Sequence, residues 1–307
     1  MKVSEGTANM GKVHELGYVG ISSLDLDAWK EYATNLLGQE VAYDSDADNL
    51  FLKMDDHHHR LSVHPGEVED VAFVGWGVGN AENMQRVAAQ LDAADIEVTA
   101  GKPELAADRR VVDLVTFTDP HTGVPMELHY GPEVAFWPPF QPQRPITGFK
   151  TENQGLGHFV AFVPDAVAAA EFYEEVLGFG VSDWVLVPGM GRLGAFMHCN
   201  TRHHTFAFFA NPQPRKQIHH IMMEYTSIDD VGSAYDIAVE RELVTATLGR
   251  HLNDHMFSFY FKNPGDWHLE LGWGARDIDP DTWQVEHYSG LQPGGGEWGH
   301  KGLFDVS

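Results

Sequence analysis

The sequence has very little cysteine and comparatively few basic residues. One cysteine, Cys199, occurs in 307 residues, so no disulfide forms within the chain, and a reducing compartment is the default expectation. Lys and Arg total 20 residues against 45 Asp and Glu, which gives a formal net charge of −25. This excess of negative charge disfavours nucleic acids and anionic membrane surfaces as partners, since both require basic patches.

Long apolar runs are also missing. No stretch approaches the ~18 apolar residues of a membrane-spanning helix, and the N-terminal residues lack the apolar centre of a secretory signal. We therefore expect a cytoplasmic protein. The 43% of hydrophobic residues suffices for packed cores. The length exceeds the ~100–200 residues of a typical domain, which favours two domains.

The chain contains an internal repeat. HELGYVGISSLDLDAWKEYATNLLGQEV (14–41) aligns with QGLGHFVAFVPDAVAAAEFYEEVLGFGV (154–181). Each copy has an apolar strand followed by a helix. The predicted helix caps are Asp25 or Asp27 and Asp165 at the N-termini and Gly38 and Gly178 at the C-termini.

A second pair of helices repeats in the same way. The segments 80–100 and 227–246 align, with Asn80 and Ser227 as predicted N-caps, and short apolar stretches follow every helix. The pattern is β-α-β-β-β four times, which predicts an α+β fold. We expect the following division: an N-terminal domain without a metal site at 1–136, a proline-rich linker at 137–153, a C-terminal catalytic domain at 154–286 and a tail at 287–307.

Polar residues interrupt three apolar strands of the second half. They are His158 in GLGHFVAFVPD, His220 in KQIHHIMMEY and Glu270 in WHLELGWG. A lone histidine in an apolar run is more often a hydrogen-bonded core residue than a ligand. A buried carboxylate, however, is costly unless it is paired or bound to a cation. Because adjacent strand residues alternate, His219 should point away from His220.

The first half serves as an internal control for these three positions. The alignment sets them against Tyr18, Phe73 and Glu127, in that order. A purely structural requirement would more often be met in both halves. Two neutral imidazoles and one carboxylate are the donor set typical of non-haem Fe(II), with positions left open for substrate and oxygen, and Mn(II) is accepted by the same set. The three second-half residues are therefore predicted to bind the metal.

Five segments carry a family resemblance: GLGHFV, HCNTRHHT, IHHIMMEYTSIDDVG, GRHLNDHMFSFY and ELGWG. In order and spacing they resemble the two-domain (type I) extradiol ring-cleaving dioxygenases of the vicinal oxygen chelate superfamily, and among these the 2,3-dihydroxybiphenyl 1,2-dioxygenases. The likeness extends to EWGHKGLFDV near the C-terminus. It implies two tandem domains of the glyoxalase/bleomycin-resistance/dihydroxybiphenyl dioxygenase fold. It also implies a homo-oligomer that cleaves an aryl-substituted or bicyclic catechol with O₂ at Fe(II), in the degradation of aromatic compounds.

The resemblance also implies roles for individual residues. His204 matches the residue that acts as acid and base beside the oxygen site. His251 matches a residue that hydrogen-bonds the substrate, with Asp254 supporting it and Asn253 lining the pocket. Tyr260 matches the residue that contacts a catechol hydroxyl.

Further expectations concern the pocket for the aryl substituent and the remaining histidines. Phe196 and Val160 are expected to line the pocket of the aryl substituent. For His203 we expect a solvated or hydrogen-bonded position without a catalytic role, and for the histidine run 57–59 an exposed one. His268 should share the face of Glu270 and departs from the family pattern, so a role behind the metal ligands stays open.

Two alternatives compete with this interpretation. One is a metal-dependent isomerase or lyase of the glyoxalase type. Such sites usually take ligands from both modules and need a base for carbon acidity. The other is a protein that sequesters a ligand without catalysis, which would have no reason to keep the three predicted metal ligands together.

Overall fold

The computed structural model describes residues 10–135, 138–289 and 296–302. Within these ranges the chain forms an eight-stranded and a ten-stranded β-sheet, together with five α-helices. None of the described helices is both long and apolar enough to cross a membrane.

The first sheet is built from the first half of the chain. Its strands are β1 (Glu15–Ser23), β2 (Glu40–Val41), β3 (Leu50–Lys53), β4 (Leu61–Pro65), β5 (Asp70–Gly77), β6 (Thr99–Ala100), β7 (Val111–Thr118) and β8 (Pro125–Pro132), in the sheet order β2-β3-β4-β1-β5-β8-β7-β6. The helices are α1 (Leu26–Tyr32), which a π-helical turn (Ala33–Leu37) continues, α2 (Ala81–Ala93) and the short α3 (Pro103–Asp108).

The second sheet repeats this arrangement and adds a strand at each edge. Its strands are β9 (His158–Val163), β10 (Gly180–Val187), β11 (Gly191–His198), β12 (Phe206–Ala210), β13 (Ile218–Glu224), β14 (Val244–His251), β15 (Phe257–Lys262), β16 (His268–Trp273), β17 (Glu286–Ser289) and β18 (Gly296–Trp298). Their order is β17-β10-β11-β12-β9-β13-β16-β15-β14-β18, and the helices are α4 (Ala166–Leu177) and α5 (Ile228–Glu240).

Strand pairing confirms the predicted α+β fold of four β-α-β-β-β modules. In the first sheet Gly20 of β1 pairs with Phe73 of β5. In the second sheet Val160 of β9 pairs with His220 of β13, so the aligned positions also coincide in register. The short helix α3 and the edge strands β17 and β18 are additions to the predicted pattern.

The helix caps agree with the sequence pattern. A side-chain oxygen accepts a first-turn backbone N–H at each predicted N-cap: Asp25, Asn80, Asp165 and Ser227. Gly38 ends the π-helical turn that continues α1, and Gly178 ends α4, with φ of 79° and 74°. A left-handed backbone of this kind is cheap for glycine, which explains the sharp reversal into the following strand.

One face of each sheet is apolar and contributes to a single hydrophobic core. In β9, Phe159, Ala161 and Val163 belong to this core, whereas His158 and Val160 point to the other face. Because the core occupies one face of the strand, only the side chains on the opposite face are available to form a functional site. The two halves share the core: Trp29 of α1 lies 5.7 Å, between ring centroids, from Trp267, which precedes β16.

The predicted linker is anchored to both halves through Arg144. Its Nε donates to the carbonyl of Leu36 (3.0 Å), Nη1 to Ser233 Oγ (2.7 Å) and Nη2 to Tyr225 Oη (3.1 Å). We propose that the chain divides into an N-terminal domain (1–136), the linker (137–153), a C-terminal domain (154–286) and a tail (287–307). Residues 136 and 137, at the first boundary, lie outside the described residues. Residues 1–9, 290–295 and 303–307 of the expected terminal segments lie outside them as well.

Replacing Arg144 tests whether the linker contributes to stability. Arg144→Met keeps much of the side-chain volume but removes three hydrogen bonds from a charged donor, so we expect the free energy of unfolding to fall by about 2–4 kcal/mol. Urea denaturation measures the change. Gln143→Ala, at an exposed position of the same segment, is the control and should change stability little. Equal losses in the two variants would contradict this role of Arg144.

Candidate active site

His158, His220 and Glu270 converge on the face of the second sheet opposite the core. His158 Nε2 lies 3.0 Å from His220 Nε2, and Glu270 Oε2 lies 3.3 Å and 3.4 Å from these two atoms. All three side chains are buried. They come from β9, β13 and β16, which are neighbours at the centre of the sheet. The three donor atoms are thus close enough together to hold a metal ion.

His219 does not point away from His220 as strand alternation predicts. A register shift between Ile218 and His220 interrupts the pairing of β13 with β9. The two rings lie 4.8 Å apart, and their Nδ1 atoms are separated by 2.6 Å. The prediction was wrong because a bulge breaks the two-residue period on which it relied.

The electrostatics of the group suit a bound cation. Burial alone raises the pKa of Glu270, but the hydrogen bonds with His158, His220 and His251 lower it well below its usual range. Burial lowers the pKa of His220 to about 4, so this imidazole is neutral near pH 7. Within the described part of the chain, no Lys or Arg nitrogen lies within 4.0 Å of the Glu270 carboxylate.

The corresponding carboxylate of the first half is neutralised differently. Glu127 Oε2 accepts a hydrogen bond from Tyr18 Oη (2.6 Å) and from Arg109 Nε (3.0 Å). The Arg109 guanidinium also lies 3.6 Å from the ring centre of Phe73, the counterpart of His220. A fixed cation of the chain therefore compensates Glu127. Glu270 instead faces the imidazoles of His158, His220 and His251, so the group fits a divalent cation that completes the charge balance.

His204 lies against one of the predicted ligands. Its ring stacks on His158 with 4.2 Å between centroids, and Phe196 packs edge-on against it at 4.8 Å. Burial, followed by the proximity of His158 and His203, lowers the pKa of His204 well below its usual range. His203 and His204 lie just before β12, and β12 is the neighbour of β9, which carries His158. His204 is therefore a neutral imidazole next to the candidate metal group.

Tyr260 and His251 lie on the opposite side of Glu270. Tyr260 of β15 pairs with Glu270 of β16, and its hydroxyl lies 2.9 Å from His251 Nε2. The same His251 nitrogen lies 3.3 Å from Glu270 Oε1. Burial and then the charge of Glu270 raise the pKa of Tyr260 well above its usual value, so its hydroxyl stays protonated.

The remaining predicted site residues surround this group. Asp254 Oδ1 accepts the backbone N–H of Met256 (2.9 Å), and its Oδ2 lies 3.9 Å from His204 Nδ1. Asn253 Nδ2 donates to Asp183 Oδ2 (3.2 Å). Val160 is buried and is directly paired with His220 across the two strands.

The other histidines named from the sequence divide into two cases. His268 is half-buried and pairs in register with His220, on the face that its spacing from Glu270 predicts. His203 is fully buried, with Nε2 3.2 Å from Asp183 Oδ2 and Nδ1 3.1 Å from His204 Nδ1. It is therefore not solvated, and it contacts the residue beside the metal group.

The expectation that residues 57–59 are exposed is wrong. His58 and His59 are buried and His57 is half-buried. His58 Nε2 lies 2.9 Å from Asp44 Oδ1, and both buried rings pack on Phe51. The run lies just before β4. Contacts with Asp44 and Phe51, which are not adjacent to it in the sequence, bury His58 and His59.

His300 lies in the segment EWGHKGLFDV, but no role for this residue was predicted from the sequence. The chain beyond β17 returns to the second sheet as β18, and His300 follows this strand. Its ring stacks on His251 at 4.2 Å between centroids. One histidine among several glycines gives no periodic signal, and its position depends on pairing with β14, about fifty residues earlier in the chain.

Comparison with known protein families gives two matches. Residues 155–271 match the Glyoxalase/Bleomycin resistance protein/Dioxygenase superfamily, and residues 16–66 match the first domain of dihydroxybiphenyl dioxygenase. The two matched segments fall in different halves of the chain, as the internal repeat requires.

Individual relatives cover almost the whole chain. It is 43% identical over 296 residues to a biphenyl-2,3-diol 1,2-dioxygenase of Paraburkholderia xenovorans (strain LB400), covering 95% of this chain and 97% of that protein. It is also 43% identical over 272 residues to a 1,2-dihydroxynaphthalene dioxygenase of Sphingobium xenophagum, covering 87% and 90%. A crystal structure of a catechol 2,3-dioxygenase superimposes with a TM-score of 0.88 at 38% identity, covering 97% of this chain and 99% of that one. The chain therefore belongs to the extradiol ring-cleaving dioxygenases of the glyoxalase/bleomycin resistance protein/dioxygenase superfamily.

Proposed function

We propose that this enzyme cleaves the ring of an aryl-substituted or bicyclic catechol, such as biphenyl-2,3-diol, at the bond beside the diol, with O₂ as the oxidant. The observation that carries the proposal is the buried His158–His220–Glu270 group, in which the carboxylate faces histidines and no Lys or Arg among the described residues. Two relatives that cover most of the chain are named biphenyl-2,3-diol 1,2-dioxygenase and 1,2-dihydroxynaphthalene dioxygenase. We also propose that the enzyme is a cytoplasmic homo-oligomer.

We propose that these three residues hold Fe(II), with Mn(II) as an ion that the same donors accept. When bound, the metal supplies a Lewis-acid centre that favours ionisation of the catechol and brings catechol and O₂ together. Glu270 contributes one negative charge and the two neutral imidazoles contribute none. One positive charge of a dication is then left over, which a catechol monoanion balances.

His204 is proposed to transfer a proton to and from the reacting oxygens. Its Nδ1 lies 3.1 Å from His203 Nδ1, so Nε2 is the ring nitrogen left to exchange a proton with the reacting oxygens. Burial keeps the ring neutral at the start, so it is able to accept a proton and later return it. Its stacking on His158 holds it beside the metal group without adding a fourth ligand.

Tyr260 and His251 are proposed to orient the catechol. The Tyr260 hydroxyl stays protonated, so it is able to donate a hydrogen bond to an ionised catechol oxygen. Its contact with His251 Nε2 at 2.9 Å holds both groups on one side of Glu270. Asn253 and Asp254 are proposed to support this side, while Phe196 and Val160 line the space for the substituent.

The glyoxalase-type alternative is not favoured by the arrangement of the two halves. Such sites usually take ligands from both modules. In the first half of this chain the equivalent carboxylate, Glu127, is already bound to Arg109 and Tyr18. The donors for a metal are thus concentrated in the second half.

The proposal is tested by purifying the protein without oxygen, measuring its metal content and following oxygen uptake. Biphenyl-2,3-diol, 1,2-dihydroxynaphthalene and unsubstituted catechol form the substrate panel. We expect iron, oxygen consumption with catechols and an absorbing ring-opened product. Catechol binding without oxygen uptake by the iron-loaded protein would indicate sequestration and would refute the proposed activity.

Substitution of the predicted ligands should remove the metal. His158→Ala, His220→Ala and Glu270→Gln each delete one of three donors, so we expect loss of iron and of turnover while the far-ultraviolet circular dichroism spectrum is preserved. Metal analysis of the purified variants is the measurement. Tyr18→Phe and Phe73→Leu, at the equivalent first-half positions, are the matched controls and should retain iron. Normal iron content in any one of the three ligand variants would remove that residue from the predicted set.

Substitution of His204 should separate binding from chemistry. His204→Phe keeps an aromatic ring against His158 but has no nitrogen to carry a proton. We expect normal iron content, anaerobic catechol affinity close to that of the wild type and turnover lower by roughly 10²–10⁴. Anaerobic titration and oxygen uptake on one preparation provide the comparison. Loss of iron would identify His204 as a ligand, and unchanged turnover would exclude it from proton transfer.

Substitution of Tyr260 should affect binding as well as turnover. Tyr260→Phe removes the hydroxyl proposed to contact the catechol, and we expect affinity to fall by about 3- to 20-fold, corresponding to about 0.6–1.8 kcal/mol for one hydrogen bond. The same anaerobic titration measures this change. If Tyr260→Phe and His204→Phe gave identical profiles, the proposed division of roles between the two sides of the site would be incorrect.

A further inference from the structure

The segment 296–302, here called the C-terminal strap, packs onto the second sheet beside the candidate active site. Its strand β18 pairs with β14, where Arg250 faces Trp298 and His251 faces Gly296. Beyond the strand, the backbone N–H of Thr247 donates to the carbonyl of Lys301 (3.1 Å). The strap is therefore fixed along the strand that carries His251.

The backbone of the strap is shaped to turn His300 inward. His300 has a φ of +47°, a conformation that is unfavourable for residues other than glycine. Gly299 before it has a φ of +81°, and a Cβ at this position would lie 2.2 Å from the carbonyl oxygen of Leu248. The close approach of the two backbones thus requires glycine at 299 and directs the His300 side chain into the protein.

The His300 ring lies among the residues proposed to orient the catechol. It is 2% exposed, and it stacks on His251 with 4.2 Å between centroids and an interplanar angle of 20°. Its centroid is 5.6 Å from that of the Tyr260 ring. His251, on which it stacks, has its Nε2 3.3 Å from Glu270 Oε1, so His300 lies one residue away from the candidate metal group.

Both nitrogens of this buried ring lack a hydrogen-bond partner among the described residues. Burial lowers the pKa of His300 to about 3, so near neutral pH the ring is uncharged and offers one N–H donor and one lone pair. A phenylalanine would stack on His251 without leaving polar atoms unpaired, and unpaired buried polar atoms are unfavourable. A polar ring at this position indicates a partner that arrives with the ligand.

We propose that the C-terminal strap completes the catechol site and that His300 forms a hydrogen bond with an oxygen of the bound substrate. The inference rests on the proposed function, since it assigns His300 to the same catechol. It extends that function by making the strap part of substrate recognition. His300 acts on the side of the catechol that meets His251 and Tyr260, opposite the proton-transferring His204.

Three variants of His300 separate hydrogen bonding from packing. His300→Phe keeps the stacked ring, His300→Leu keeps an apolar side chain without the ring, and His300→Gln keeps one donor and one acceptor. Lys301→Ala, at an exposed position of the same strap, is the control and retains the backbone contacts with Thr247. Iron content and thermal denaturation are measured first for every variant.

The readout is anaerobic titration of the iron-loaded variants with biphenyl-2,3-diol, followed by oxygen uptake. We expect His300→Phe and His300→Leu to bind about 3- to 10-fold more weakly than the wild type, as for the loss of one hydrogen bond. His300→Gln should recover part of this loss, and Lys301→Ala should bind as the wild type does. Either apolar variant permits the comparison if the other does not fold.

The outcomes distinguish this inference from the proposed function. Wild-type affinity in a folded His300→Phe or His300→Leu variant would overturn the role of His300 while leaving the catechol activity intact. An equal loss in Lys301→Ala would also overturn it, because the effect would then come from the strap in general. A wild-type protein that bound no catechol would refute the proposed function and this inference together.

Discussion

The arrangement of the second half depends on the compensation of one buried carboxylate. Glu270 lies in a strand between Leu269 and Leu271, both of which belong to the core. An ionised group at such a position is tolerated only when positive charge or several hydrogen bonds meet it. In the first half the equivalent carboxylate, Glu127, is compensated by Arg109, a cation that belongs to the chain itself. The second half surrounds its carboxylate with imidazoles, an arrangement that favours an exchangeable cation.

The second sheet holds the side chains of His158, His220 and Glu270 in a fixed arrangement. These donors sit on β9, β13 and β16, and the opposite face of these strands is packed in the core, so their backbones are held by many contacts. The neighbouring strands β12 and β15 bring in residues from either side: His204 just before β12, and Tyr260 on β15 itself. The residues proposed for proton transfer and for substrate orientation thereby lie on opposite flanks of one rigid surface.

The sequence predicted those features that depend on local pattern and on the repeat. The four modules and their caps follow from periodicity and from single residues such as Asp165 and Gly178. The convergence of the three polar strand residues followed from comparing the halves. The orientation of His219 did not, because a bulge has no clear sequence signal. The burial of His58 depends on Asp44, fourteen residues away in the chain, and such a pair leaves no periodic pattern in the sequence.

The sharing of one core by both halves limits how the enzyme is divided or recombined. Trp29 from the first half packs on Trp267, and Tyr32 packs on Phe261 with 5.9 Å between ring centroids. An isolated second half would expose these aromatic surfaces to water and would be prone to aggregate. A chimaera that exchanges only the second half between relatives must therefore carry matching partners for Trp267 and Phe261. The half without a predicted metal group thus acts as an obligatory folding partner.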